Sequence, residues 1–437
     1  MLIREWLLKS NEIVKQLGEG INGSEITLKE AEEKILEHIN RLGQIMVDEV
    51  VEGLKEPVFE NRVVVGGEVA VFSGMRNLRF INRFGGQTVR ARRCYKYLNR
   101  SGGYYPLDEK LGLDVCGGFS PLLTYLQVLF GASEPFERSE ELLSESIGFK
   151  VCATAIQGNT ELTGGRMEED PYKVIPTKKQ QEDCELMLVE VDGTTSPQIS
   201  EVQGVRGRES LKQKTEWKEC NVVVIEKYAK GERTDRWIGA RYGPQKEFEE
   251  YVRRAGLRMG QLGAEQVVFI ADGLPINWEI QKTNFPGAIT ILDFYHATEH
   301  LGDFCKLFKD EKQGEGKYDD WYLMLLEGEA LQVISELKEA VNEITDTDKG
   351  WKHINYFKKN IDRMNYDEYK KAGLPIGSGL VEGNCKFVIG KRFKGSGMRW
   401  KRADNIKVLR TRLAKLNGNL PDYFRPQAQQ WTVPHAA

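Results

Sequence analysis

Leu186-Met-Leu-Val-Glu-Val-Asp192-Gly193 and Val267-Val-Phe-Ile-Ala-Asp272-Gly273 follow one pattern, a short apolar run closed by Asp-Gly. Such a run reads as a strand buried on both faces, the signature of a parallel sheet. Open α/β sheets carry their chemistry at the carboxyl ends of strands like these. If the two strands are neighbours, their aspartates form one oxygen-rich pocket suited to Mg²⁺ or Mn²⁺.

The flanking sequence supplies the rest of an α/β unit. Strands are expected at Leu186–Asp192, Asn221–Tyr228, Asp235–Tyr242, Val267–Asp272 and Ala288–Asp293, with an amphipathic helix from Pro244 to about Met259 and another running from Asp293 through Phe308. Three closely linked strands, a helix, and two more strands with helical crossovers make the order of an RNase H-like fold, in which the first and fourth strands are central parallel neighbours. The expected fold class is therefore α/β, an RNase H-like mixed five-stranded sheet with a helical insertion, preceded by a mainly helical DNA-binding region with short strands.

Read in chain order, the domains are expected as an N-terminal helical segment (1–60), a small basic strand and loop region (61–118) and a helix-turn-helix-like region (119–180). The first part of the catalytic domain (181–309), a polar helical insertion (310–372), its last part with a basic helix (373–420) and a tail (421–437) follow. A plain helical linker is the alternative for 119–180. In that region Ser120-Pro121 and Ser133-Glu-Pro135 start helices and Gly148 ends one.

At 437 residues, 40% hydrophobic and 29% charged, the composition is that of a globular protein of two or three domains. No apolar run approaches the roughly 18 residues of a membrane span, and Met1 to Lys9 lacks signal-peptide architecture; a cytoplasmic location is the expectation. Seven scattered cysteines without a Cys-x-x-Cys pair argue against a structural zinc site or a disulfide framework.

The net charge of −3 conceals two basic clusters. Arg76 to Arg100 holds eight Lys/Arg and no acid, and Lys386 to Lys415 holds eleven against Asp404 alone. Such clusters suggest a polyanionic partner, solvated surface being the alternative. In the second cluster Gly390-Lys-Arg-Phe-Lys-Gly-Ser-Gly-Met-Arg-Trp400-Lys-Arg mixes cations with an aromatic residue able to stack on a base. Lys386, Lys391, Arg392, Lys394, Arg399, Trp400, Lys401 and Arg402 are its candidate DNA-binding residues; Arg90, Arg92 and Arg93 are those of the first cluster.

Phosphoryl transfer with two metal ions requires carboxylates converging from separate elements. Asp192 and Asp272 are two; Glu382, at a helix start after Gly377-Ser-Gly, is the expected third. In Asp293-Phe-Tyr-His296-Ala-Thr-Glu-His300 the Asp and both His fall within about 60° of one another on a helix. His296 is a candidate for phosphate contact or proton transfer, with Asp293 and His300 in support. The alternative is a helix-capping Asp bonded to a His.

These motifs together with Asp272-Gly-Leu-Pro-Ile-Asn-Trp278 and Gly377-Ser-Gly-Leu-Val-Glu382 resemble the DDE transposases of the ISKra4 insertion-sequence family, relatives of the Mutator-like group. Arg83-Phe-Gly, Arg90-Ala-Arg-Arg93 and Pro106-Leu-Asp-Glu-Lys-Leu-Gly-Leu113 resemble its N-terminal region, so the likeness runs from about residue 60 to about 415. The resemblance implies an acidic triad of Asp192, Asp272 and Glu382 holding two Mg²⁺ or Mn²⁺ ions, with Asp293-x-x-His296 matching the Asp/Cys-x-x-His motif. It implies double-stranded DNA partners, namely the element's terminal inverted repeats and the target, engaged by a homodimer or larger assembly at the bacterial nucleoid. One departure is that only Cys94 and the distant Cys116 remain of the family's Cys-rich ribbon, with Leu98 and Asn99 where a second Cys is expected. A catalytically inactive DNA-binding descendant and an RNase H-like nuclease are the alternative readings.

Overall fold

The structure is a computed structural model that describes residues 26–168, 184–199 and 215–424, with a few residues between 8 and 19. It divides into two compact units. One comprises the chain up to Met167 together with Lys407 onward; the other runs from Glu168 to Ile406.

The second unit carries the paired Asp-Gly runs. Its strands are β5 (Leu186–Ile199), β6 (Thr215–Ala229), β7 (Glu232–Tyr242), β8 (Gln266–Ala271) and β9 (Ile289–Leu292), in the order β7-β6-β5-β8-β9. The first three form an antiparallel meander, and β8 and β9 continue parallel to β5. That is the RNase H-like arrangement. The sheet has six strands rather than five, because Trp400–Lys401 (β10) adds to the far end of β5 in parallel. It can do so because β5 and β6 run past the apolar segments: Gly193 to Ile199 stays extended and pairs with Thr215 to Asn221. The central strands are apolar on both faces, Met187 to Val189 and Val268 to Ala271 being almost fully buried.

Helix α6 (Gln245–Arg258) packs Phe248, Tyr251 and Val252 into this core, with Tyr251 against Trp237 of β7. Helix α7 (Pro275–Asn284) follows β8, and α8 (Phe294–Cys305) follows β9. The helical insertion consists of α9 (Glu311–Leu326), α10 (Ala330–Glu339), α11 (Thr347–Asn360) and α12 (Tyr366–Lys371). Its Trp321 and Tyr366, both fully buried, join the sheet's core through Phe304 and Phe294. A large buried side chain of this kind contributes roughly 1.5–3 kcal/mol. The chain then returns to the sheet as α13 (Gly379–Asn384), which passes through a π turn at Cys385–Gly390.

The first unit is built on α1 (Leu28–Gly53), opened by a Thr27–Glu30 capping box, and on a four-stranded antiparallel sheet. Its strands are β1 (Arg62–Val65), β2 (Glu68–Ile81), β3 (Gln87–Tyr97) and β4 (Gly103–Tyr104). The strands expected here were short, but β2 has 14 residues and β3 has 11. Along the Arg-rich segment Leu78, Phe80 and Thr88 turn inward while Arg79, Val89 and Ala91 turn out. A helical region follows: α2 (Pro106–Leu111), then α3 (Pro121–Gly131), α4 (Phe136–Ile147) and α5 (Ala153–Arg166). Ser120 caps α3, and a left-handed Gly148 ends α4. Helix α14 (Arg402–Leu416) contributes its residues from Lys407 onward to this unit.

Two glycines on α5 test the packing. A methyl at Gly164 would overlap the Lys407 carbonyl oxygen, whereas one at Gly158 meets open space. Gly164→Ala is expected to cost about 1–3 kcal/mol by overpacking and Gly158→Ala to add roughly 0.5–1 kcal/mol by helix propensity. Urea denaturation of the two variants reads the difference; equal shifts would refute the packing.

Candidate functional site

The site begins with strand register. Glu190 of β5 pairs with Ile270 of β8, an offset of 270 − 190 = 80. The same offset sets Asp192 against Asp272, one residue past the end of β8, and parallel neighbours lie about 4.8 Å apart. The two carboxylates share a cavity of about 220 Å³, which Thr194, Glu219, Asn221, Gln245 and Asn277 also line.

Each aspartate is held by its own turn. Asp192 Oδ1 accepts from Gly193 N at 2.6 Å, and the Cys385 thiol donates to its carboxylate. Asp272 Oδ1 accepts from Leu274 N at 3.0 Å and from Asn277 Nδ2 at 2.8 Å. Gly273, at φ +90°, makes this turn, and a side chain there would strike Leu292 and Tyr356. Tyr356 of the insertion donates its hydroxyl to the Asp272 carbonyl at 2.8 Å. Burial pushes the Asp192 carboxyl up, and the charge of Asp272 adds to this.

Asp293 is the joint between the two halves of the second unit. It is the N-cap of α8, accepting from Tyr295 N at 3.0 Å and from His296 Nδ1 at 2.6 Å. It also accepts from Ser378 N at 3.1 Å and from the Ser378 hydroxyl. Phe294 N donates to Ile376 O at 2.9 Å. The fit is close, since a side chain at Gly377 would strike the Tyr295 ring. Asp293 is thus a buried capping residue bonded to a His, and its carboxylate does not reach the cavity.

Burial pushes Asp293 up, but the bonds from His296, Ser378 and Tyr295 outweigh it and leave the carboxyl below the usual range. The bond to Asp293 pushes His296 up to about 9 against burial, helped by the charges of Asp272 and Asp192. His296 does not line the cavity, but its charge and those of the two cavity aspartates favour one another. His300 is turned elsewhere: its ring stacks on Tyr356 at 3.6 Å, and its Nδ1 lies 3.0 Å from His353 Nδ1. Burial and His353 lower it to about 4. It ties α8 to α11.

Glu382 is not brought to the pair. Its carboxylate meets Lys386 at 2.6 Å on the exposed side of the helix, and it does not line the cavity. Among the described residues no three His, Cys, Asp or Glu side chains converge as a metal cage. The two cavity aspartates suit a hard cation, but the expected set of three does not close around one.

Several residues unforeseen in the sequence hold the site together: Asn277, Tyr356, Ser378, Cys385 and Glu190. Glu190 is buried on the strand that carries Asp192 and accepts from Val381 N at 2.8 Å, fastening α13 to β5. Burial pushes it up to about 8; the Val381 bond opposes this, while the charges of Asp293 and Glu226 add to it. Its place in an apolar strand was the one available signal, since a carboxylate there needs a buried partner.

The basic clusters divide into inward and outward cations. Arg392 and Trp400, expected on DNA, are buried, the guanidinium 4.9 Å from the Trp400 ring, with Phe393 beside it. Arg90 donates to the Val51 and Leu54 carbonyls at the end of α1. Arg92 pairs with Asp108 and lies over Tyr105, and the Arg93 guanidinium lies over Phe72. Lys386, Lys391, Lys394, Arg399, Lys401 and Arg402 are exposed. Lys394 donates to Thr194 Oγ1 at 2.7 Å, on the cavity rim.

No protein-family model matches the chain, and no curated protein matches it. Among solved structures it is similar to the Drosophila P element transposase strand transfer complex, at 11% identity and a TM-score of 0.27, over 70% of this chain and 80% of that one. A likeness of that degree carries no argument about function, which rests on the site.

The Asp293–His296 pair sets a pH dependence. The raised His296 contributes its full stabilisation below about pH 6.5 and loses it as pH rises through about 9. The lowered Asp293 loses its contribution as pH falls through its own depressed value. Imidazole NMR should show His296 still protonated at pH 8 in the wild type and titrating nearer its ordinary value in Asp293→Asn. Identical titration in the two proteins would exclude the pairing.

Proposed function

We propose that the chain is a DNA strand-transfer enzyme of the transposase kind. It would bind the terminal inverted repeats of an insertion sequence, hydrolyse a strand at each end and join the freed 3′-hydroxyl to target DNA. Holding two ends together would take at least two copies. The reading is carried by one observation: Asp192 and Asp272 share one cavity at the carboxyl ends of adjacent parallel strands, with Lys394 bonded to Thr194 on its rim. Carboxylates for a hard cation next to fixed cations for phosphate are what phosphoryl transfer on a polyanion requires. The motif resemblance supports the same reading.

Asp192 and Asp272 would hold Mg²⁺ or Mn²⁺, which lowers the pKa of a water or 3′-hydroxyl when bound. Lys394, Lys391 and Arg399 would hold the DNA backbone, and His296 would donate to a phosphate oxygen. Glu382 joins the site in this proposal only by leaving Lys386. That ion pair is exposed and screened by solvent, so DNA or a cation could outcompete it.

The separation of Glu382 from the pair favours a second reading, a DNA-binding protein of this fold without catalysis. Strand cleavage of the element's end DNA with Mg²⁺ separates the two. Wild type should cleave, Asp192→Asn and Asp272→Asn should lose at least about a hundredfold in rate, and Glu382→Gln should fall with them. Full cleavage by Asp192→Asn would overturn the site. Binding without cleavage by wild type would establish the second reading.

A further inference from the structure

Apart from one bridge of Ile81 to Phe119, Met75 to Ile81 of β2 and Gln87 to Arg93 of β3 pair only with each other among the described residues: the β1 pairing ends at Val71, and β4 pairs only with Tyr95 and Lys96. This stretch is a two-stranded ribbon. One face turns Leu78, Phe80 and Thr88 inward and holds Arg90 and Arg92 in the internal contacts described above. The tip is anchored as well, since Phe84 packs on Gly43 of α1 and Asn82 bonds to Gln44. The ribbon is therefore a fixed element whose opposite face is exposed among the described residues.

That opposite face sets Asn77 against Ala91 and Arg79 against Val89, with Gln87 at its end. All five are exposed, Val89 to 51%. Between Arg76 and Arg93 the chain holds six arginines and no acid. Among the described residues Arg76 and Arg79 have no carboxylate partner. The groups displayed can read guanine, adenine and thymine edges. Arginine pairs with guanine O6 and N7, asparagine and glutamine pair with adenine N6 and N7, and small apolar side chains meet the thymine methyl. A two-stranded ribbon fits the major groove of B-form DNA, about 12 Å wide, and not the narrow major groove of A-form RNA. Helix α5 offers no comparable surface: its outer side carries Gln157, Gly158 and Leu162, and its Arg166 is bonded to the Asp114 carbonyl.

We propose that the outer face of the β2–β3 ribbon, through Asn77, Arg79, Gln87 and Val89, reads duplex DNA in the major groove. The proposal rests on the strand-transfer reading for its ligand and names the part of the chain that recognises the DNA. The test uses the full chain and a labelled short B-form duplex, with anisotropy followed over a salt series, and selection from a pool of random duplexes. Arg79→Ala should weaken binding about tenfold and lower the salt slope by about one. Arg79→Lys should keep the salt slope but lose sequence preference, because lysine lacks the planar fork. The Asn77→Ala, Gln87→Ala double variant should relax the selected sequence. All four side chains are exposed, so circular dichroism should be unchanged. Unchanged affinity and selection in every ribbon variant would overturn the ribbon while leaving strand transfer standing; so would equal binding of an A-form RNA duplex. If the wild type binds no DNA, both readings fall.

Discussion

Parallel pairing of β5 with β8, in a register that sets each residue against the one eighty positions on, is the constraint on which this molecule turns. Side chains alternate along a strand, so a slip of one residue would send Asp192 to the opposite face from Asp272. The register is held because Met187, Val189 and Val191 enter the core on the same face as Phe269 and Ala271, opposite the face that carries Asp192 and Asp272. The apolar interior thereby fixes the position of a polar site it does not contain.

Two carboxylates held together repel, and their surroundings answer that repulsion. Each accepts hydrogen bonds from its own turn, and the positive charge of His296 acts on both. His296 carries that charge because Asp293 is buried and bonded to it. Asp293 in turn joins α8 to the loop before α13, across the whole helical insertion. The insertion itself reaches the site through Tyr356 and the Asp272 backbone. Elements far apart in sequence meet there because each provides a hydrogen-bonding group that burial would otherwise leave unsatisfied.

The arginine-rich segments show why charge counting misleads. Arg90 closes the end of α1, Arg412 donates to the Ala132 carbonyl, and Arg392 lies buried against Trp400. A guanidinium carries five donors on a long apolar stem, so it serves as readily inside as outside. The outward cations, Lys394 and Arg79 among them, differ from these in environment and not in composition.

The sequence alone determined the Asp-Gly strand ends, the α/β order and the caps of α3, α4 and α8, because each depends on residues a few positions apart. The position of Asp192 beside Asp272 was legible too, since one strand order accounted for the whole pattern. Tertiary structure decided the added sixth strand, the length of the β2–β3 ribbon, the burial of Arg392 and Trp400, the turning of His300 toward the insertion and the pairing of Glu382 with Lys386. Helix and strand periods state which residues share a face, but which face meets the core, and which partner a charge finds there, is settled only when distant segments pack.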